Sequence, residues 1–154
     1  DYFSEDEIKN NKNYHYKNKK YFVFGKRLQN SDNYEAIQLA IKDNDPKYII
    51  ENLSGKIFYN DNQDECNKKR SLIVKELTKI FSKNIKTSID ENYKMKADKT
   101  GKSINDASYF WFPNGDIVSV ECSDWSKEIN YKDNLKVRIF SNKYNLFLIN
   151  EAYK

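Results

Sequence analysis

A turn that admits one register constrains this chain most. Residues 107 to 123 read ASYFWFPNGDIVSVECS, two β-rich runs around Pro113-Asn114-Gly115. Asn-Gly alone suits a two-residue type I′ turn, but that turn needs a backbone N–H from the residue before it, and Pro113 has none. Pro113 fits the second position of a type I turn instead, with Gly115 left-handed in a G1 bulge. This turn sets Phe112 opposite Asp116, Phe110 opposite Val118 and Trp111 opposite Ile117. Side chains alternate along a strand, so Phe110, Val118, Val120 and Cys122 share one face. Tyr109, Trp111, Ile117, Ser119 and Glu121 share the other. The first face reads as core.

A second period points to the same place. From 63 to 83, Cys66, Ile73, Leu77 and Ile80 fall on one helical stripe, widened by Val74 and Phe81. Lys68, Lys69, Lys75, Lys79 and Lys83 populate the polar side, and Gln63 or Asp64 suits the cap. Cys66 and Cys122 thus both face the core. That agreement predicts a Cys66–Cys122 disulfide, the alternative being two buried thiols. With no CxxC and no His/Cys cluster, neither a zinc site nor a cofactor is expected. The single methionine is Met95. With a disulfide, this leads to the expectation of a removed leader or a trimmed start, and of a periplasmic or secreted protein. No apolar run is long enough for a transmembrane segment.

The rest of the chain is read more coarsely. Residues 1-20 are expected to be a flexible N-terminal arm or tether, with Ser4–Lys9 as a short helix capped by Ser4 and Glu7. Residues 21-154 form a single domain. Tyr21-Phe22-Val23-Phe24 is a strand. Short helices are predicted from Ser31 or Asp32 to Lys42, with Ile37, Ala40 and Ile41 inward, and from Lys47 to Leu53 behind Pro46. Ile57-Phe58-Tyr59 is a strand, and residues 84 to 105 a polar loop. Lys99-Thr100-Gly101-Lys102-Ser103 fails the phosphate-loop pattern, because position 96 is Lys where Gly is required. Leu135 to Phe140 alternates as a strand, residues 141 to 143 turn, and Tyr144 to Ile149 is a last strand. The fold class expected is α+β: an antiparallel sheet of four to six strands ending in a C-terminal β-meander, one long amphipathic helix packed on one face, and short N-terminal helices.

No catalytic constellation emerges. His15 is the only histidine and lies in the arm, which cannot hold the geometry that proton transfer needs. There is no GxSxG. The acidic runs at 43 to 45 and 61 to 65 miss the calcium-loop pattern, with Ser54 and Leu72 where a bidentate Glu is required. The expectation is that the protein is not an enzyme. Its net charge is only +4, and its wealth of Lys and Asn matches the codon bias of an AT-rich genome, so charge alone does not imply nucleic acid. What remains is a surface. Tyr109, Trp111 and Ile117 share the outer hairpin face, Lys136 and Arg138 join them if the second hairpin pairs beside the first, and Trp125 stands in the connector. Aromatic and basic side chains suit a protein hot spot; they also suit base stacking, or a second core layer covered by the N-terminal helices. The expected function is an exported, non-enzymatic binding protein of the immunity or inhibitor type that blocks a protein partner. The alternatives are a small basic nuclease or toxin domain, and a single-stranded nucleic-acid-binding module.

Overall fold

The computed structural model describes residues 4, 6–7, 14–29, 31–59, 61–81 and 84–153. Its frame is one eight-stranded sheet in the order β1-β2-β3-β4-β8-β7-β6-β5, with every neighbouring pair antiparallel. The strands are β1 (Tyr14–His15), β2 (Tyr21–Arg27), β3 (Ala36–Lys42), β4 (Ile50–Phe58), β5 (Lys86–Lys94), β6 (Ile104–Trp111), β7 (Ile117–Asp124) and β8 (Asn134–Phe140). Helix α1 (Gln63–Ile80) leaves the sheet centre after β4 and delivers the chain to the far edge at β5, while α2 (Asn142–Asn150) follows β8. Two meanders therefore meet along the β4–β8 seam.

The β6–β7 hairpin has the register its turn predicts. Phe110 pairs Val118 and Trp111 pairs Ile117. The Phe112 N–H donates to the Asp116 carbonyl at 2.9 Å, and Gly115 takes φ +86°, the left-handed region a G1 bulge reserves for glycine. Helix α1 lies on the Cys122 face. Cys66 and Cys122 are disulfide-bonded with Cα atoms 5.9 Å apart. Around them pack Val120, Leu135, Val137, Ile57, Tyr59, Ile73, Val74 and Leu77. The cap is Asn62, whose side chain accepts from the Glu65 N–H, rather than Gln63 or Asp64. Ile80 is exposed, whereas Phe81 closes the stripe against Phe110 and Phe112. Positions 82 and 83 of the expected helix lie outside the described residues.

The expected fold class needs correction. The sheet has eight strands, not four to six, and no short helices occupy residues 31 to 53. Ala36–Lys42 is β3, with Leu39 and Ile41 on one face and Ala40 on the other, and residues 50 to 53 open β4. Residues 86 to 94, expected as loop, form edge strand β5. Tyr144 to Ile149, expected as the last strand, is helical; the Ser141 hydroxyl accepts from the Tyr144 N–H and so starts α2. In the arm, Ser4 and Glu7 exchange the two bonds of a capping box, while positions 5 and 8 to 13 lie outside the described residues. Tyr14 and His15 pair with β2, and Tyr16 is buried.

Helix α2 packs on the face opposite α1. Tyr144, Phe147 and Ala152 cluster there with Tyr16, Tyr21, Val23, Ala40, Ile117 and Phe140. The hydroxyls of Tyr16 and Tyr144 lie 2.8 Å apart, which satisfies both polar tips inside an apolar cluster.

Candidate functional site

Below that cluster, on the same face, the sheet changes character. Register sets two rows of side chains across its centre. One row runs Tyr109, Ser119, Arg138, Ser54, Gln38 and Gly25, and the next Ala107, Glu121, Lys136, Lys56, Ala36 and Arg27. Glu121, Lys136 and Lys56 stand side by side in the second row between two alanines, Arg138 stands between two serines in the first, and β4 and β8 bring Lys56 directly opposite Lys136.

Glu121 is the only carboxylate among the four charged groups at the centre of these rows. Arg138 Nε lies 2.8 Å from Glu121 Oε1 and Lys136 Nζ 3.1 Å from Oε2, with side-chain exposures of 18% and 19% against 5% for Glu121. The Ser119 hydroxyl donates to Oε1 at 2.6 Å and accepts from Arg138 Nε at 3.1 Å. The Arg138 guanidinium carbon sits 4.2 Å from the Phe140 ring centroid, a stacking that fixes its plane. Among the described residues, the Lys56 side chain makes no ion pair and no hydrogen bond, and Arg138 Nη1 and Nη2 have no hydrogen-bond acceptor. Three cations thus face one carboxylate, and only Lys136 and Arg138 pair with it directly.

The protonation states follow from that imbalance. Burial opposes charge on Glu121, yet Arg138, Lys136 and the Ser119 hydrogen bond outweigh it and hold the carboxyl down to about 2. Lys136 shares its counter-ion with Arg138, and burial still pushes its pKa below the usual lysine value. Lys56 has less help: burial, then repulsion from Lys136 and Arg138, bring it to about 8 despite attraction from Glu121. Burial raises Tyr109 at the edge of the rows. One row above, the buried Asn52 Oδ1 finds no hydrogen-bond partner among the described residues.

A proton binds Lys56 less readily in the folded chain than in the unfolded one. Holding it charged therefore costs stability below its folded pKa of about 8, and the cost fades as pH rises toward the ordinary 10.5. Lys56→Met is expected to stabilise the fold at pH 7 by about 2–3 kcal/mol. The advantage should shrink from pH 8 upward in paired urea titrations; tyrosine ionisation acts alike on both proteins and cancels in their difference. Parallel curves from pH 7 to 10 would refute a charged Lys56 held at this cost.

The residues expected at a partner site divide. Tyr109, Trp111, Lys136 and Arg138 do share this face. Trp111 is half-buried at the margin of the α2 cluster, its indole N–H donating to Ser88 at 3.0 Å. Ile117 is 1% exposed and belongs to that cluster, so it serves the fold. Trp125 packs on Tyr131 beyond the far end of β7, remote from the others. Among the described residues the covering layer is not a set of N-terminal helices but α2, which packs with Tyr16 over Tyr21, Ile117 and Phe140. His15 stacks on Phe22 and points to the α1 face by register, away from Glu121.

Lys56 and Glu121 are the members the sequence left unmarked as site residues. The hairpin register had placed Glu121 on the outer face, and for Lys56 the hint lay in the alternation Ser54, Lys56, Phe58 against Leu53, Gly55, Ile57. Elsewhere the polar groups have structural work. Asp98 accepts from Thr100 and Ser103 and ties together the loop that superficially suggested phosphate binding. Asp106 accepts from Gln63, Asn67 and the Asn92 N–H, fastening α1 and β5 to β6. Among the described residues, no group of three His, Cys, Asp or Glu side chains is placed to hold a metal, and no helix is long and apolar enough to cross a membrane. No protein-family model, curated protein or solved structure matches the chain.

Proposed function

We propose that this chain is an exported, non-catalytic binding protein that grips a protein partner through the Tyr109–Trp111–Lys136–Arg138 face, in the manner of an inhibitor. The observation that carries the reading is Lys56. An unpaired lysine beside two cations that already share one carboxylate is an unfavourable arrangement for the free protein. Stability given up at a defined place on a surface is characteristic of a site kept for binding. Trp111 and Tyr109, with ring centroids 6.0 Å apart, add the aromatic area that binding hot spots use beside arginine. The Cys66–Cys122 bond is compatible with an oxidising compartment.

The complementary partner surface is acidic, and contact with Trp111 should dominate its affinity. Trp111→Ala is expected to cost about 1–3 kcal/mol of folding stability, less than a fully buried tryptophan because the ring is only half-buried. Partner affinity should fall by about 2 kcal/mol or more. The test is retention of partners from native lysate on immobilised wild-type and Trp111→Ala protein, read beside a denaturant titration. Retention of the same proteins by both forms would remove this face from the reading. Capture of oligonucleotides with a steep loss of affinity in salt would replace the protein partner with nucleic acid.

A further inference from the structure

We infer that the Lys56–Lys136–Arg138 cluster is an oxyanion site that takes one doubly charged group, supplied by a phosphoryl ester or by two adjacent carboxylates. The inference rests on the reading that this face is the binding face, and names what enters it. Three observations carry it.

The first is charge. Three cations against Glu121 leave an excess of two positive charges; a dianion balances that excess, and a lone carboxylate does not. The second is donors. Lys56 Nζ and the outer nitrogens of Arg138 have no acceptor among the described residues. Glu121 and Ser119 hold Arg138 through Nε alone, and Phe140 sets the guanidinium plane. A fork fixed in this way is suited to an oxyanion with two oxygens in reach. The third is the immediate neighbours. By register the side chains beside the cations are Ala36, Ala107, Ser54 and Ser119, with Gly25 at the end of the row. None of them brings a second carboxylate to the cations.

The experiment is a thermal-denaturation titration of the full chain at neutral pH with inorganic phosphate, with malonate, and with chloride at matched ionic strength. Phosphate or malonate should raise Tm in a saturable way where chloride does not, since a ligand bound only by the native state stabilises it. A response to phosphate alone identifies the phosphoryl group, and one to malonate alone the paired carboxylates. Lys56→Met, whose fold is expected to be more stable than wild type, should bind the responding anion about tenfold or more weakly. Lys56→Arg should retain the response, and Lys102→Met, which removes the exposed partner of Glu128, should leave it unchanged. A response that survives Lys56→Met overturns the site. So does indifference of the wild type to both anions. If partner retention nevertheless depends on Trp111, only this inference falls; if that dependence is also missing, the binding face falls with it.

Discussion

Glu121→Gln is expected to destabilise the fold by about 3–5 kcal/mol, because it leaves Arg138, Lys136 and Lys56 on a half-buried surface without a counter-charge. The amide keeps the shape of the side chain, so the loss reports charge rather than packing. Two further readings check this. Adding Lys56→Met to Glu121→Gln should recover part of the loss, since residues that share one ion network do not act additively. The acid limb should also change. The Glu121 carboxyl is held down to about 2 from 4.5, so its contribution is present above pH 4.5 and is lost as pH falls through 2. Wild type should lose stability over that window, and Glu121→Gln should lose less. A urea midpoint for Glu121→Gln within 1 kcal/mol of wild type would show that the cations do not depend on this carboxylate.

Opening Cys66–Cys122 should have an effect of similar size. The bond joins residues 56 apart in sequence, and closing a loop of that length in the unfolded chain amounts to about 4 kcal/mol in the chain-entropy model. Both sulfurs are fully buried among Val120 and Leu135, so the Cys66→Ala/Cys122→Ala double variant also tests packing. Helix α1 has separate anchors, because Arg70 donates to Ser108 and Asn67 to Asp106. The variant should therefore remain folded at 25 °C with a lowered denaturant midpoint. A change under 1 kcal/mol would mean that the bond constrains the unfolded chain little.

What the chain reveals before folding varies with how much each segment relies on distant partners. Pro113 and Gly115 specify their turn locally, and the Cys66, Ile73, Leu77 stripe fits only a helix, so both were legible. Ala36–Lys42 fits two periods at once. Ile37, Ala40 and Ile41 make a helical stripe; Ile37, Leu39 and Ile41 make a strand face. Pairing with β2 and β4 decides between them, and neither partner is visible from inside the segment. Tyr144 to Ile149 is ambiguous in the same way, and its deciding signal was the Ser141 cap. Edge strand β5 is exposed along its whole length and carries no hydrophobic pattern to detect. The site follows the same rule. Lys136 and Arg138 could be placed beside Trp111 through a single assumed hairpin pairing. Lys56 reaches them only across the β4–β8 seam, which joins residues 52–58 to 134–140.

That seam also sets an order of events during synthesis. The first meander, β1 to β4, leaves the ribosome with the outer edge of β4 unpaired, and its partner β8 is the last strand of the chain. An open strand edge is a template for any other extended chain, and contacts of this sequence separation form late. A product cut short between residues 59 and 133 would carry that edge permanently, with Lys56 as the one cation of the three that it retains. Loss of β8 should therefore expose a sticky edge and favour aggregation over a smaller folded unit.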